Sequence, residues 1–430
     1  MPSGPADRAA RTGRPLLWVA GFVLLGLVGA ITLFLATDRE VITPPAPSAS
    51  GSSPVEVTRA DRASELLQEL TEALTTGTRR DAARLAAPGE PTARGSLAAI
   101  HDNVRDLGVS DLSLRFIDEE LGGLSAAERR TLGDEAWVGT VALDWRIKGY
   151  DTRVSTMEVS FTFVDTPDGV AFGSADGDHG NPAPLWLLTD LAVAESQRAL
   201  VAVADERRLD RYAQLADEAV RDVRDVLPQW RGRLVVEVPS DKAQLHRVLD
   251  AQPNAYDSIA AVTATVDGSM SPTSPVHILV NPDVFGKLGE EGSQIVMSHE
   301  ATHVATNAAT ASMPLWLLEG FADYVALARS ELPVEVTGSQ ILAEVRRNGP
   351  PKALPGPDEF DPANKLLGTS YESAWLACRL LAETYGEDRL IDFYESVDSG
   401  VSVDEAFTQL GTTERAFTKG WRAYLRELAG

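Results

Sequence analysis

The stretch Ile295-Val296-Met297-Ser298-His299-Glu300-Ala301-Thr302-His303-Val304-Ala305 decides how this chain folds. His299 and His303 are four residues apart, so on a helix both imidazoles leave one face about a turn from each other and can hold one ion. Ala301 and Thr302 between them are uncharged, as are the three residues before and the two after. That composition fits a semi-buried core helix, where a charge would be costly. With 6 histidines in 430 residues, a chance match to His-Glu-x-x-His is expected about 0.01 times per chain. The spacing is informative without being decisive.

Neutral imidazoles suit zinc, and with a third protein ligand one position stays open for a water whose pKa falls to about 7. Glu300, adjacent to the first histidine, can take that water's proton as general base. A second segment, Trp316-Leu317-Leu318-Glu319-Gly320-Phe321-Ala322-Asp323-Tyr324, places Glu319 and Asp323 four apart on one helical face. Two carboxylates among Trp316, Leu317, Leu318 and Phe321 need a partner. Glu319 is therefore the candidate third ligand. Asp323 is the candidate to accept from the free ring nitrogen of a ligand histidine, which fixes its tautomer and raises its basicity.

Together these segments resemble the gluzincin branch of the zincin metallopeptidases, in which an HExxH helix is followed by a Glu-x-x-x-Asp helix. Here those are His299-Glu300-x-x-His303 and Glu319-x-x-x-Asp323. The wider phrase from Pro314 to Tyr324 resembles the peptidase-MA-like group and its W-L-x-E-G-x-A-x-Y segment. The resemblance covers about Leu185 to Gly430, with its specific part at Ile295 to Leu327. It implies a zincin-type domain with a β-rich half and a helical half, a bound zinc ion, and hydrolysis of a peptide or protein substrate with Glu300 as the catalytic base. It also implies an edge strand that pairs with an extended substrate, for which Val276-His277-Ile278-Leu279-Val280 is the candidate. A donor to the developing oxyanion is implied as well. Tyr371, at the head of Tyr371-Glu372-Ser373-Ala374-Trp375, is the candidate, a purely packing tyrosine being the alternative. His277 either lines the cleft or faces solvent on its alternating strand, and His101, His179 and His246 have no partner pattern.

Working outward, the fold class is α+β. Leu66, Leu67, Leu70, Ala73 and Leu74, then Leu97, Ile100, Val104 and Leu107, fall on single helical faces, predicting two or three helices at the start. The period then switches to two through Leu112 to Phe116, Trp137 to Ile147, Met157 to Phe163 and Val170 to Phe172, an antiparallel meander. Helices followed by a meander indicate an α+β accessory domain over residues 57–180, and that order of elements is similar to the cone-shaped nuclear-transport-factor-like fold. Over residues 185–430 a strand-like stretch comes first. A long amphipathic helix from Leu209 to Val226 is stopped by Pro228. A strand Leu234 to Val238, a helix capped by Ser240, and strands Ala261 to Val266 and Val276 to Val280 follow. Beyond the motif, Trp316 to Leu327, Tyr371 to Tyr385, Asp388 to Val397, Val403 to Leu410 and Thr413 to Leu428 read as helices, with Gly386 a helix stop.

Residues 15–37 carry no charge and are strongly apolar, long enough to span a bilayer. Arg8, Arg11 and Arg14 precede them, so residues 1–14 are expected in the cytoplasm and the rest of the chain outside, the alternative being a cleaved signal peptide. Residues 38–56 form a Pro/Ser-rich linker. The formal net charge of −24 argues against nucleic acid as a partner, since phosphate recognition needs a basic surface. The single cysteine, Cys378, excludes an internal disulfide and reads as a buried apolar residue. A rival to the hydrolase reading is an inactive peptidase fold serving as an extracytoplasmic binding or scaffold protein. Glu300 argues against it, because a structural zinc site needs no base.

Overall fold

The computed structural model describes residues 58–120, 123–175, 181–251, 255–361 and 364–430. The expected membrane span at 15–37 and its linker lie outside them. No helix among the described residues is long and apolar enough to cross a membrane. The fold is α+β.

Helices α1 (Arg59–Thr75), α2 (Arg79–Ala83) and α3 (Pro91–Asp106) come first. Thr58 and Thr78 cap α1 and α2, each exchanging hydrogen bonds with an aspartate three residues on, which satisfies the otherwise orphaned first-turn N–H groups. Strands β1 (Val109–Glu120), β2 (Ala136–Ile147), β3 (Ser155–Thr166) and β4 (Gly169–Ser174) form an antiparallel sheet in chain order, with the short helix α4 (Ala126–Leu132) between β1 and β2. Alternation sends Trp137, Val141, Leu143 and Trp145 of β2, and Val159, Phe161 and Phe163 of β3, to the face covered by α1 and α3. Trp137 and Phe163 stack there at 4.7 Å.

The stretch after residue 184 opens with a short helix, α5 (Leu185–Leu188), because Pro184 starts a turn that buries Leu185, Trp186 and Leu187 in the first core, and the expected strand-like part follows it. Strands β5 (Ala192–Glu195), β6 (Ala199–Val203), β7 (Leu234–Val238), β8 (Ala261–Thr265) and β9 (Val276–Val280) build a second, mixed sheet in the order β5-β6-β7-β9-β8. Helix α6 (Leu209–Val226) crosses between the parallel strands β6 and β7. Helix α7 (Lys242–Val248) is capped by Asp241 rather than Ser240, since the Asp241 carboxylate accepts from the Gln244 N–H at 2.9 Å. The sheet is apolar on both faces, as expected of strands covered on both sides. Val201, Val236 and Ile278 face α6 and the motif helix, while Leu200, Ala202 and Val235 belong to the first core.

One expectation is overturned here. Val276–Val280 is an interior strand, flanked by β7 and β8, so the terminal position beside the motif helix belongs to β8. Because β9 takes the place beside β7, its antiparallel partner β8 is left at the end of the sheet.

The remaining elements are helical: α8 (Pro282–Phe285), α9 (Glu290–Ala305), α10 (Leu315–Leu327), α11 (Val334–Thr337), α12 (Ser339–Asn348), α13 (Leu367–Tyr385), α14 (Glu387–Asp398), α15 (Val403–Gln409) and α16 (Glu414–Ala429). Gly386 ends α13 at φ 99°, a left-handed conformation that glycine adopts without strain. Cys378 is buried in the second core.

Candidate metal centre

Helix α9 carries the His-Glu-x-x-His stretch. Glu290 and Glu291 in its first turn complement the helix dipole. Its far end is set by Asn307, whose φ of 53° breaks the helix four residues after His303. Asparagine tolerates that conformation better than most side chains, and Asn307 Nδ2 secures it by donating to the Pro272 and Thr310 oxygens. Between those ends every residue from Ile295 to His303 is buried, because α9 lies between the second sheet, α6 and α10.

Helix α10 presents Glu319 and Asp323 to that buried face. It approaches α13 so closely at Gly320 that a Cβ there would sit 2.4 Å from the Ala374 carbonyl oxygen. The glycine after Glu319 is thus a packing requirement. His299 Nδ1 pairs with Asp323 Oδ1 at 2.6 Å. Its other nitrogen, Nε2, lies 2.9 Å from His303 Nε2 and 3.2 Å from Glu319 Oε2, and His303 Nε2 is 3.4 Å from the same oxygen. All four side chains are at most 2% exposed.

Such a cluster is expensive to bury on its own. Glu319 Oε1 has no partner and Oε2 faces only the two imidazole nitrogens, although an unmet buried carboxylate oxygen is strongly penalised. Burial disfavours a charged His299, yet the Asp323 and Glu319 carboxylates outweigh it and hold its pKa well above the ordinary value. Burial also pushes Asp323 up to about 6 against the pull of His299. For Glu319 burial is outweighed by the two imidazoles, which leave its pKa below the ordinary value. Two imidazole nitrogens and a carboxylate oxygen within 4.8 Å of one another could hold a metal ion. The donor set and the buried Glu319 carboxylate fit a divalent cation, which would satisfy groups that otherwise face only each other.

Glu300, the next residue along α9, is 1% exposed. On a helix it projects about 100° round from His299 and about 60° from His303, flanking the cluster. Its Oε2 accepts from the Thr263 hydroxyl at 2.7 Å, and its Oε1 has no partner. Tyr371 does not head its helix: α13 starts at Leu367, so Tyr371 lies a turn inside, 1% exposed. Its ring is 6.3 Å from that of His299 and edge-on to Phe360. The structure thus brings His299, Glu300, His303, Glu319, Asp323 and Tyr371 together.

His277 lies elsewhere. It neither lines the cleft nor faces solvent: its ring is buried on the far face of β9, with Nδ1 at 2.6 Å from Glu237 Oε1 and Nε2 at 3.1 Å from Asp151 Oδ1. His101 pairs with Asp102 at 3.1 Å, and His179 lies outside the described residues. The sequence reading missed Thr263, a strand residue with no motif around it. It also missed Glu372, whose buried carboxylate accepts from the Ile341 N–H at 2.7 Å and caps α12 in place of a residue of its own. Only contacts far apart in the chain reveal either one. No protein-family model matches the chain, and no curated protein does either.

Proposed function

We propose that the chain is a zinc-dependent peptidase of the gluzincin type, in which His299, His303 and Glu319 hold the metal and Glu300 is the general base. The observation that carries this reading is the convergence of two imidazole nitrogens on a fully buried Glu319 carboxylate that has no other partner, beside a glutamate with one free oxygen. Zinc, when bound, supplies Lewis-acid polarisation of a carbonyl and activation of water near neutral pH. Three protein ligands are the donor set of catalytic sites, four that of structural ones, and the cluster among the described residues has three.

In this reading Glu300 takes a proton from the attacking water and delivers it to the departing amine. Asp323 holds His299 through Nδ1, so that Nε2 points into the cluster. Tyr371, beside the His299 ring, is the donor to the oxyanion. An extended peptide adds backbone hydrogen bonds to the terminal strand β8, at its half-buried Ala264–Thr265 end. The apolar run at 15–37 preceded by arginines supports a location of this chemistry on the outer side of a membrane, tethered by a single span.

The test is a mixed peptide library digested by the zinc-reconstituted chain and read by mass spectrometry. Glu300→Gln is expected to lower cleavage about 10²- to 10⁴-fold while metal content by elemental analysis stays unchanged. A chain that takes up no zinc, or a variant that cleaves like wild type, rejects the reading.

A further inference from the structure

Glu300 is held by a residue from another element. The Thr263 hydroxyl lies 2.7 Å from Glu300 Oε2 and 3.1 Å from the Glu300 carbonyl oxygen. A hydroxyl has a single proton to give, and the nearer carboxylate, the stronger acceptor when ionised, takes it. Both side chains are buried, at 2% and 1% exposure. With Oε2 engaged, Oε1 is left buried and unpartnered, so the two oxygens of this carboxylate are not equivalent.

Thr263 is also placed where its own conformation is fixed. It sits mid-strand in β8, paired with Ile278 of β9, and shares with Ile278 the face that packs on α9. A β-branched side chain on a strand has restricted χ1 freedom, so its hydroxyl direction is set by the sheet. β8 is at the same time the edge strand of that sheet. One rigid element is therefore both the terminal strand of the sheet and the carrier of the side chain that holds Glu300.

We propose that Thr263 is a positioning residue. It anchors Glu300 Oε2 to the edge strand so that Oε1 alone is presented as the base, and it registers that oxygen against any peptide laid along β8. This rests on the peptidase reading and adds to it the residue that aligns base with substrate. Because Thr263 acts through its side chain and the edge is main chain, the assignment separates turnover from binding.

The test uses the full chain in detergent. With zinc, Thr263→Val keeps the shape and β-branching but lacks the hydroxyl. It is expected to lower kcat about tenfold, the worth of one hydrogen bond to a charged group, with KM changed less than about twofold. Thr263→Ser, which retains the hydroxyl, restores most of kcat. A second measurement needs no activity: a double-mutant cycle of Thr263→Val and Glu300→Leu, followed by urea unfolding of the metal-free chain, is expected to be non-additive. Unchanged kcat in Thr263→Val, or an additive cycle in a chain that cleaves peptides, overturns the assignment alone. A non-additive cycle in a wild type that takes up zinc but cleaves no peptide overturns the peptidase reading and the catalytic use of Thr263 with it.

Discussion

His299 is under the strongest demand of any residue in the site, since one ring serves Asp323 through Nδ1 and the His303–Glu319 cluster through Nε2. Asp323 has no other described hydrogen bond, and its Oδ2 is unpartnered. Asp323→Asn keeps the shape but replaces the anion that favours the Nδ1–H tautomer. Metal affinity is expected to fall about 10- to 100-fold, measured by competition with a chromogenic chelator. An unchanged affinity would show that His299 needs no help with its tautomer. At this scale much of the site was legible, because helical periodicity is local: His299 and His303, and Glu319 and Asp323, are each four apart and had to share a face. Thr263 was not legible, because its partner is 37 residues away and on a different kind of element. The same holds for Glu372, which caps a helix that follows no side-chain cap of its own.

At the scale of elements, the site depends on how α10 is seated against α13. Gly320 sets that distance: an added Cβ would meet the Ala374 carbonyl oxygen at 2.4 Å and Cys378 Sγ at 3.0 Å. The first contact is with backbone inside a helix and cannot be relieved by a side-chain rotation, so α10 must shift. Gly320→Ala is expected to destabilise the metal-free chain by about 1–3 kcal/mol, as overpacking does, despite alanine's better helix propensity. Because Glu319 is the preceding residue, the zinc affinity proposed for the cluster should fall in parallel. Thermal unfolding and the chelator assay check the two effects separately. Most elements were legible from their periods, including α6, α9, α10 and the four strands of the first sheet. The order of strands in the second sheet was not, since β8 and β9 have similar apolar patterns and pairing is decided by which one reaches β7. The candidate edge strand was therefore displaced by one position.

At the scale of the molecule, two cores were foreseeable from the change of pattern along the chain. Their sharing of a sheet was not, because a strand apolar on both faces does not say what covers each. Leu200, Ala202 and Val235 complete the first core from the second sheet, and the loop after β2 reaches over the same face. There Asp151 accepts from the Ile147 N–H at 2.6 Å and pairs with His277, while Arg153 contacts Ser271 and Thr273 in the loop after β8. His277 is thus enclosed by a carboxylate from each side of the junction, Asp151 and Glu237. Burial disfavours its charged form, but those two anions outweigh burial and raise its pKa from 6.5 to about 10. The folded state then binds the proton more tightly than the unfolded chain. The stability this contributes is fully present below about pH 6.5, declines above it, and is lost once the pH has risen through about 10. His277→Gln cannot take up the charge, so the gap in unfolding free energy between wild type and variant should be widest near pH 6 and narrow steadily toward pH 10. Taking the difference between the two proteins cancels the lysines and tyrosines that titrate in the same range. Urea melts at about pH 6, 8 and 10 would measure it. A gap that stays constant across them would mean that His277 is neutral in the fold, and that its contacts with Asp151 and Glu237 are ordinary hydrogen bonds rather than a charge clasp between the two sheets.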